Sequence, residues 1–132
     1  MSKKYILDSD ILIYFLKGDK NIIEKVISLP NDELYITIIN YTELLYGIYN
    51  SNKINQNKEK ILPFLENFKI LQFDKKSSEV FAKLKAKLKK QGNIIADMDL
   101  MIASIAIANK ATLFSNNLKH FKRIKELELL EL

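Results

Sequence analysis

Apolar runs alternate with amphipathic and polar stretches along the whole chain, and their periods predict alternating strands and helices. Lys4 to Leu7 reads as a short buried strand. Ser9 is placed to cap a helix from Asp10 to Lys17, with Gly18 ending it. Asp19 caps a second helix with apolar positions Ile22, Ile23, Val26, Ile27 and Leu29, and Pro30-Asn31-Asp32 forms a turn. Leu34 to Ile39 is β-branched enough for a second strand, and Asn40 to Tyr49 follows as a helix. After a polar link from Asn50 to Asn57, a helix runs from Lys58 to Asn67, disturbed by Pro63.

Phe68 to Phe73 alternates polar and apolar residues, as a more exposed strand does. Ser77 to Lys90 places Phe81, Leu84 and Leu88 on one helical face, and Gly92 closes it. The helix from Asp97 to Asn109 is apolar nearly all round and is therefore expected in the interior. Ala111 to Ser115 is a strand, Leu118 to Phe121 a helical turn, and Leu127 to Leu132 a last strand. Strands alternating with helices imply an α/β fold, with a mainly parallel sheet covered on both faces. In such sheets ligands bind beyond the carboxyl ends of the strands, where strand order reverses. If the first strand is central, Asp8 at its end and Glu43 just beyond the second fall at that crevice.

Composition narrows the chemistry. The 132 residues suit one domain, and 48% hydrophobic content gives it a core. The absence of cysteine excludes disulfides and thiolate metal sites, and fits a cytoplasmic location. No apolar stretch is long enough to span a membrane. The net charge of +5 comes from 21 basic residues, all lysine but Arg123, and favours a polyanionic partner. Lys83, Lys85, Lys87, Lys89 and Lys90 offer a phosphate track, or simply a solvated helix face. The three glycines are far apart, which argues against a nucleotide-cradling loop. His120 has no second histidine to pair with and reads as an ordinary surface or edge residue.

Acids stand at the edges of the apolar segments. Asp8 abuts a buried strand, a costly place for a carboxylate unless it is paired, solvated in a cleft or bound to metal. Asp10 fits the plainer role of a helix N-terminal acid. Asn40 to Glu43 has the spacing of a capping box, which would give Glu43 a structural task instead of a chemical one. Asp97 and Asp99 open the apolar helix, where acids suit the positive end of the dipole; being two apart, they do not share a face. Converging carboxylates without thiolate or imidazole partners suggest a hard divalent cation, Mg²⁺ or Mn²⁺.

Four motifs occur in a familiar order: Tyr5-Ile6-Leu7-Asp8-Ser9-Asp10, Thr42-Glu43-Leu44-Leu45-Tyr46-Gly47, Asp97-Met98-Asp99-Leu100 and Leu113-Phe114-Ser115-Asn116-Asn117. Together they resemble the PIN-domain proteins, and within them the VapC toxins of type II toxin–antitoxin modules. The resemblance covers residue 5 to about 130 and implies a single PIN domain over 1–132, with a three-layer α/β/α fold and four to five strands. It implies a Mg²⁺- or Mn²⁺-dependent endoribonuclease, with Asp8 and Asp99 as metal ligands and Glu43 and Asp97 as further catalytic acids. Ser9 and Asn117 are supporting residues. Asn117 stands where many PIN domains carry a fourth acid, Ser9 where threonine is usual, Asp10 where asparagine is usual, and Asn40 where threonine often begins the helix.

The resemblance also implies an RNA substrate, a VapB-like antitoxin and a homodimer. Tyr14, Phe15, Tyr46, Tyr49 and Ile54 are candidate interface anchors. The competing readings are a PIN nuclease of RNA processing or DNA-linked regulation, and a catalytically silent PIN binding module.

Overall fold

The computed structural model describes residues 3–131. Five strands build one sheet: β1 (Tyr5–Leu7), β2 (Leu34–Thr37), β3 (Lys69–Leu71), β4 (Thr112–Phe114) and β5 (Glu128–Leu130). Every pairing is parallel and the order is β3-β2-β1-β4-β5, so β1 is central, the condition under which Asp8 and Glu43 fall at the crevice. The chain winds outward from β1 through β2 to β3, then returns to lay β4 on the other side of β1. That reversal creates a crevice at the carboxyl ends of β1 and β4.

The helices are α1 (Ser9–Leu16), α2 (Lys20–Ser28), α3 (Ile38–Tyr49), α4 (Ile54–Leu65), α5 (Lys75–Lys90), α6 (Asp97–Ala108) and α7 (Leu118–Phe121). Neighbouring strand residues point to opposite faces and enter different cores. Ile6 and Leu113 pack with Leu84 and Leu88 of α5 and Leu100, Ile102 and Ala103 of α6. Leu7 and Phe114 pack instead with Ile11 and Leu12 of α1, Ile22 and Val26 of α2, and Leu65 of α4. The result is the expected three-layer arrangement. As predicted, α6 is largely buried from Leu100 onward, including Ser104, whose hydroxyl donates to the Leu100 carbonyl, while its first turn is open to solvent at Asp97 and Met98. Among the described residues no helix is long and apolar enough to cross a membrane.

Several boundaries differ from the sequence expectation. Helix α1 begins at Ser9 with Asp8 as its cap. Strand β2 stops at Thr37, and the β-branched Ile38 and Ile39 already belong to α3. Helix α4 begins at Ile54 and runs through Pro63, which lies close enough to its end to cost only about one intrahelical hydrogen bond. Helix α5 begins at Lys75 because the Asp74 side chain accepts from Ser77 N. Edge strand β3 exposes both Lys69 and Ile70, so its alternation is not a clean inward–outward one. The last strand covers Glu128–Leu130; residue 132 of the expected strand lies outside the described residues.

Candidate active site

The crevice begins with Asp8. Its backbone N–H donates to the Phe114 carbonyl, continuing the sheet, while its side chain turns to cap α1. Oδ1 accepts from Ser9 N at 2.9 Å and from Asn40 Nδ2 at 3.1 Å. Oδ2 accepts from Ser115 Oγ at 2.7 Å. Three segments thus fix a carboxylate that is only 6% exposed.

The second segment is organised by a capping box, three residues earlier than the spacing suggested. Thr37 Oγ1 accepts from Asn40 N at 3.1 Å, and Asn40 Oδ1 accepts from Thr37 N at 3.0 Å. Because Thr37 is the cap, Glu43 has no capping task and lies in the second turn of α3. It accepts from Ser9 Oγ at 2.6 Å. The buried Asn40 amide group ties this unit to the first one, donating to both Asp8 Oδ1 and Ser9 Oγ.

The third segment separates the two acids of α6. Asp99 faces the crevice, with Asn117 Nδ2 a long 3.5 Å from its Oδ2. Asp97 points away and pairs with exposed Lys85 at 2.9 Å, beside a different, mostly apolar pocket. The roughly 200° between residues two apart on a helix makes this divergence unavoidable. Asp97 therefore does not join the acids it was expected to assist.

Asp8, Ser9, Asp10, Ile13, Tyr14, Glu43, Asp99, Asn116 and Asn117 line one open pocket of about 450 Å³. It gathers four carboxylates and no lysine or arginine. Burial is the main influence on each and pushes its pKa up. Asp8 reaches about 7, helped by the charges of Asp10 and Glu43 and partly offset by the Ser115 and Ser9 hydrogen bonds. Asp10 is raised by burial and by Asp99, against the Asn116 and Ile11 amides. Glu43 is raised by burial and by Asp99 and Asp10, against the Ser9 hydroxyl. Asp99 is raised by burial, against His120 and Asn117.

The donor chemistry fits a hard cation: oxygen ligands, a concentration of carboxylates, and ionisation suppressed chiefly by burial. Among the described residues no three His, Cys, Asp or Glu side chains form a complete ligand set. A cation here would rely on one or two carboxylates with water completing its shell, the way Mg²⁺ is usually held.

Ser115, Asn40 and Asp10 all touch this network in ways the sequence did not reveal. Ser115 directly follows β4, the strand beside β1, and only the strand order shows that it meets Asp8. His120 is half-buried, and among the described residues its Nδ1 has no hydrogen-bond partner; its influence on Asp99 places it nearer the site than an ordinary surface residue. Of the candidate anchors, Tyr14 lines the pocket, Tyr46, Tyr49 and Ile54 are exposed, and Phe15 stacks on Phe64 at 5.4 Å within the second core.

A family comparison matches residues 5–127 to the PIN domain. The chain is 38% identical over 127 residues to "Ribonuclease VapC2" of Rickettsia felis, covering 95% of each protein. Its fold is similar to the crystal structure of VapBC2 from Rickettsia felis bound to a promoter DNA fragment, with TM-score 0.90, 36% identity, and 97% and 98% of the two chains covered. VapBC-1 from nontypeable Haemophilus influenzae is similar with TM-score 0.87 and 35% identity over 96% of each chain.

Proposed function

The chain belongs to the PIN-domain family, and from that premise we propose that its four-carboxylate pocket is the active site of a divalent-cation-dependent endoribonuclease. The protein is a VapC-type ribonuclease toxin of a type II toxin–antitoxin system, and its protein partner is a VapB-like antitoxin. The observation that carries the site assignment is the convergence of Asp8, Glu43 and Asp99 on one pocket from three distant segments.

Asp8 and Asp99 would hold Mg²⁺ or Mn²⁺. When bound, the ion supplies charge neutralisation at the scissile phosphate and a more acidic water. Glu43, oriented by the Ser9 hydroxyl, takes a proton from the attacking water, and its raised pKa makes it a stronger base than an ordinary glutamate. Asn40 and Ser115 keep Asp8 aimed into the pocket, and Asn117 steadies Asp99. Asp97 stands outside this machinery.

The whole chain, 1–132, acts as one PIN domain in the cytoplasm. Exposed Tyr46, Tyr49 and Ile54 give apolar anchors to the antitoxin or to a second copy in a homodimer. The lysines of α5 draw RNA toward the molecule by long-range attraction. The deciding experiment compares wild type with Asp8→Ala and Asp99→Ala in RNA cleavage and Mn²⁺ binding, with circular dichroism to check folding. Loss of both activities by folded variants is expected. Full cleavage by the double variant would overturn the site assignment.

A further inference from the structure

Asp10 bridges two elements. Its Oδ1 accepts from Ile11 N at 2.8 Å at the start of α1, and its Oδ2 accepts from Asn116 N at 3.0 Å across the crevice. The second bond lands at the centre of a three-residue turn that touches both proposed metal-binding acids. Ser115 Oγ, before Asn116, donates to Asp8 Oδ2 at 2.7 Å. Asn117, after it, places Nδ2 3.5 Å from Asp99 Oδ2 and donates its backbone N–H to Ser115 Oγ at 2.9 Å. This turn follows β4 directly, and among the described residues its other side-chain hydrogen bonds are made by Ser115 and Asn117 at its two ends.

We propose that Asp10 is a positioning residue for the ribonuclease reaction: it latches the Ser115-Asn116-Asn117 turn to the start of α1 and so sets the separation and aim of Asp8 and Asp99. This rests on the active-site reading above. A carboxylate suits the task because two N–H donors approach two different oxygens at once. An asparagine has one acceptor oxygen and serves one of those donors only. Asp10 thus acts through Asn116, and its role differs from that of a carboxylate placed merely to add negative charge.

The test uses Asp10→Ala and Asp10→Asn in the full chain, reading two quantities for each: the Asn116 amide resonance by ¹H–¹⁵N NMR, and kcat and KM for RNA cleavage. Asp10→Ala is expected to move the Asn116 resonance and lower kcat about tenfold, the scale of one charge-assisted hydrogen bond, with KM within about threefold. Asp10→Asn is expected to recover kcat to the extent that it recovers the Asn116 resonance. The proposal is overturned if kcat falls while that resonance stays in place, which would make charge the cause. It is equally overturned if the resonance moves and kcat does not, or if neither responds to Asp10→Ala. A wild-type protein that cleaves no RNA would refute the active-site reading and the catalytic half of this proposal, while the amide resonance would still report on the latch itself.

Discussion

Ser9 Oγ donates a 2.6 Å hydrogen bond to Glu43 Oε1, joining the first residue of α1 to the second turn of α3. The same hydroxyl accepts from Asn40 Nδ2 at 3.0 Å, so its proton has one direction left to point. Glu43 is thereby oriented and its charged form favoured against burial. Ser9→Ala is expected to raise the Glu43 pKa further and to move the acid limb of the pH–kcat profile toward higher pH. A fall in kcat of about tenfold should accompany it. Ser9→Thr should restore both. An unchanged profile in Ser9→Ala would remove Ser9 from the mechanism.

The acids of the pocket make the metal-free protein sensitive to base. Asp8 has its pKa raised to about 7, and Asp10, Glu43 and Asp99 are raised as well. Between the ordinary carboxylate range and about 7, the folded state holds a proton on Asp8 that the unfolded chain releases. Stability therefore falls as pH rises through that window. Without added metal, Tm should be higher near pH 5 than near pH 8. Asp8→Asn should flatten the slope and stabilise the protein at pH 8 by up to a few kcal/mol. Mg²⁺ or Mn²⁺ should recover the wild type at pH 8 by mass action. A Tm that climbs from pH 5 to pH 8 in the metal-free wild type would contradict this account.

Asn40 is fully buried and serves the fold and the site together. Asn40→Ala removes half of the α3 capping box and strips donors from Asp8 and Ser9. The expected cost is about 2–3 kcal/mol, a lost cap plus buried polar groups left unpaired. Urea denaturation measures it; a cost below about 0.5 kcal/mol would mean that solvent replaces Asn40 at no loss.

Asp97→Ala should behave as a surface substitution. The Lys85 pair is solvent-exposed and lies outside the acidic pocket. Stability should change by less than about 1 kcal/mol, and kcat should stay within about threefold of wild type. A drop in kcat of a hundredfold or more would return Asp97 to the reaction.

The layered α/β plan was legible because its signals are local: short β-branched runs, an amphipathic α5 and an apolar α6. Asp8, Glu43 and Asp99 were legible as acids at segment ends. The join between β2 and α3 was not. Ile38 and Ile39 continue the β-branched pattern without a break, and only the Thr37–Asn40 hydrogen bonds end the strand. That shift of three residues decided whether Glu43 capped a helix or faced a pocket. Ser115 was hidden for a different reason, since its partner Asp8 lies 107 residues away and no local pattern encodes that meeting.

The strand order has a consequence for how the protein is made. β1 emerges first in synthesis, yet the strand that pairs on its other side, β4, emerges more than a hundred residues later. A chain interrupted before Thr112 already carries Asp8, Asp10, Glu43 and Asp99, but lacks β4 and the Ser115 hydroxyl that seats Asp8. Unfinished translation products of that kind hold every acid of the proposed site but lack both the strand that pairs with β1 and the hydroxyl that seats Asp8.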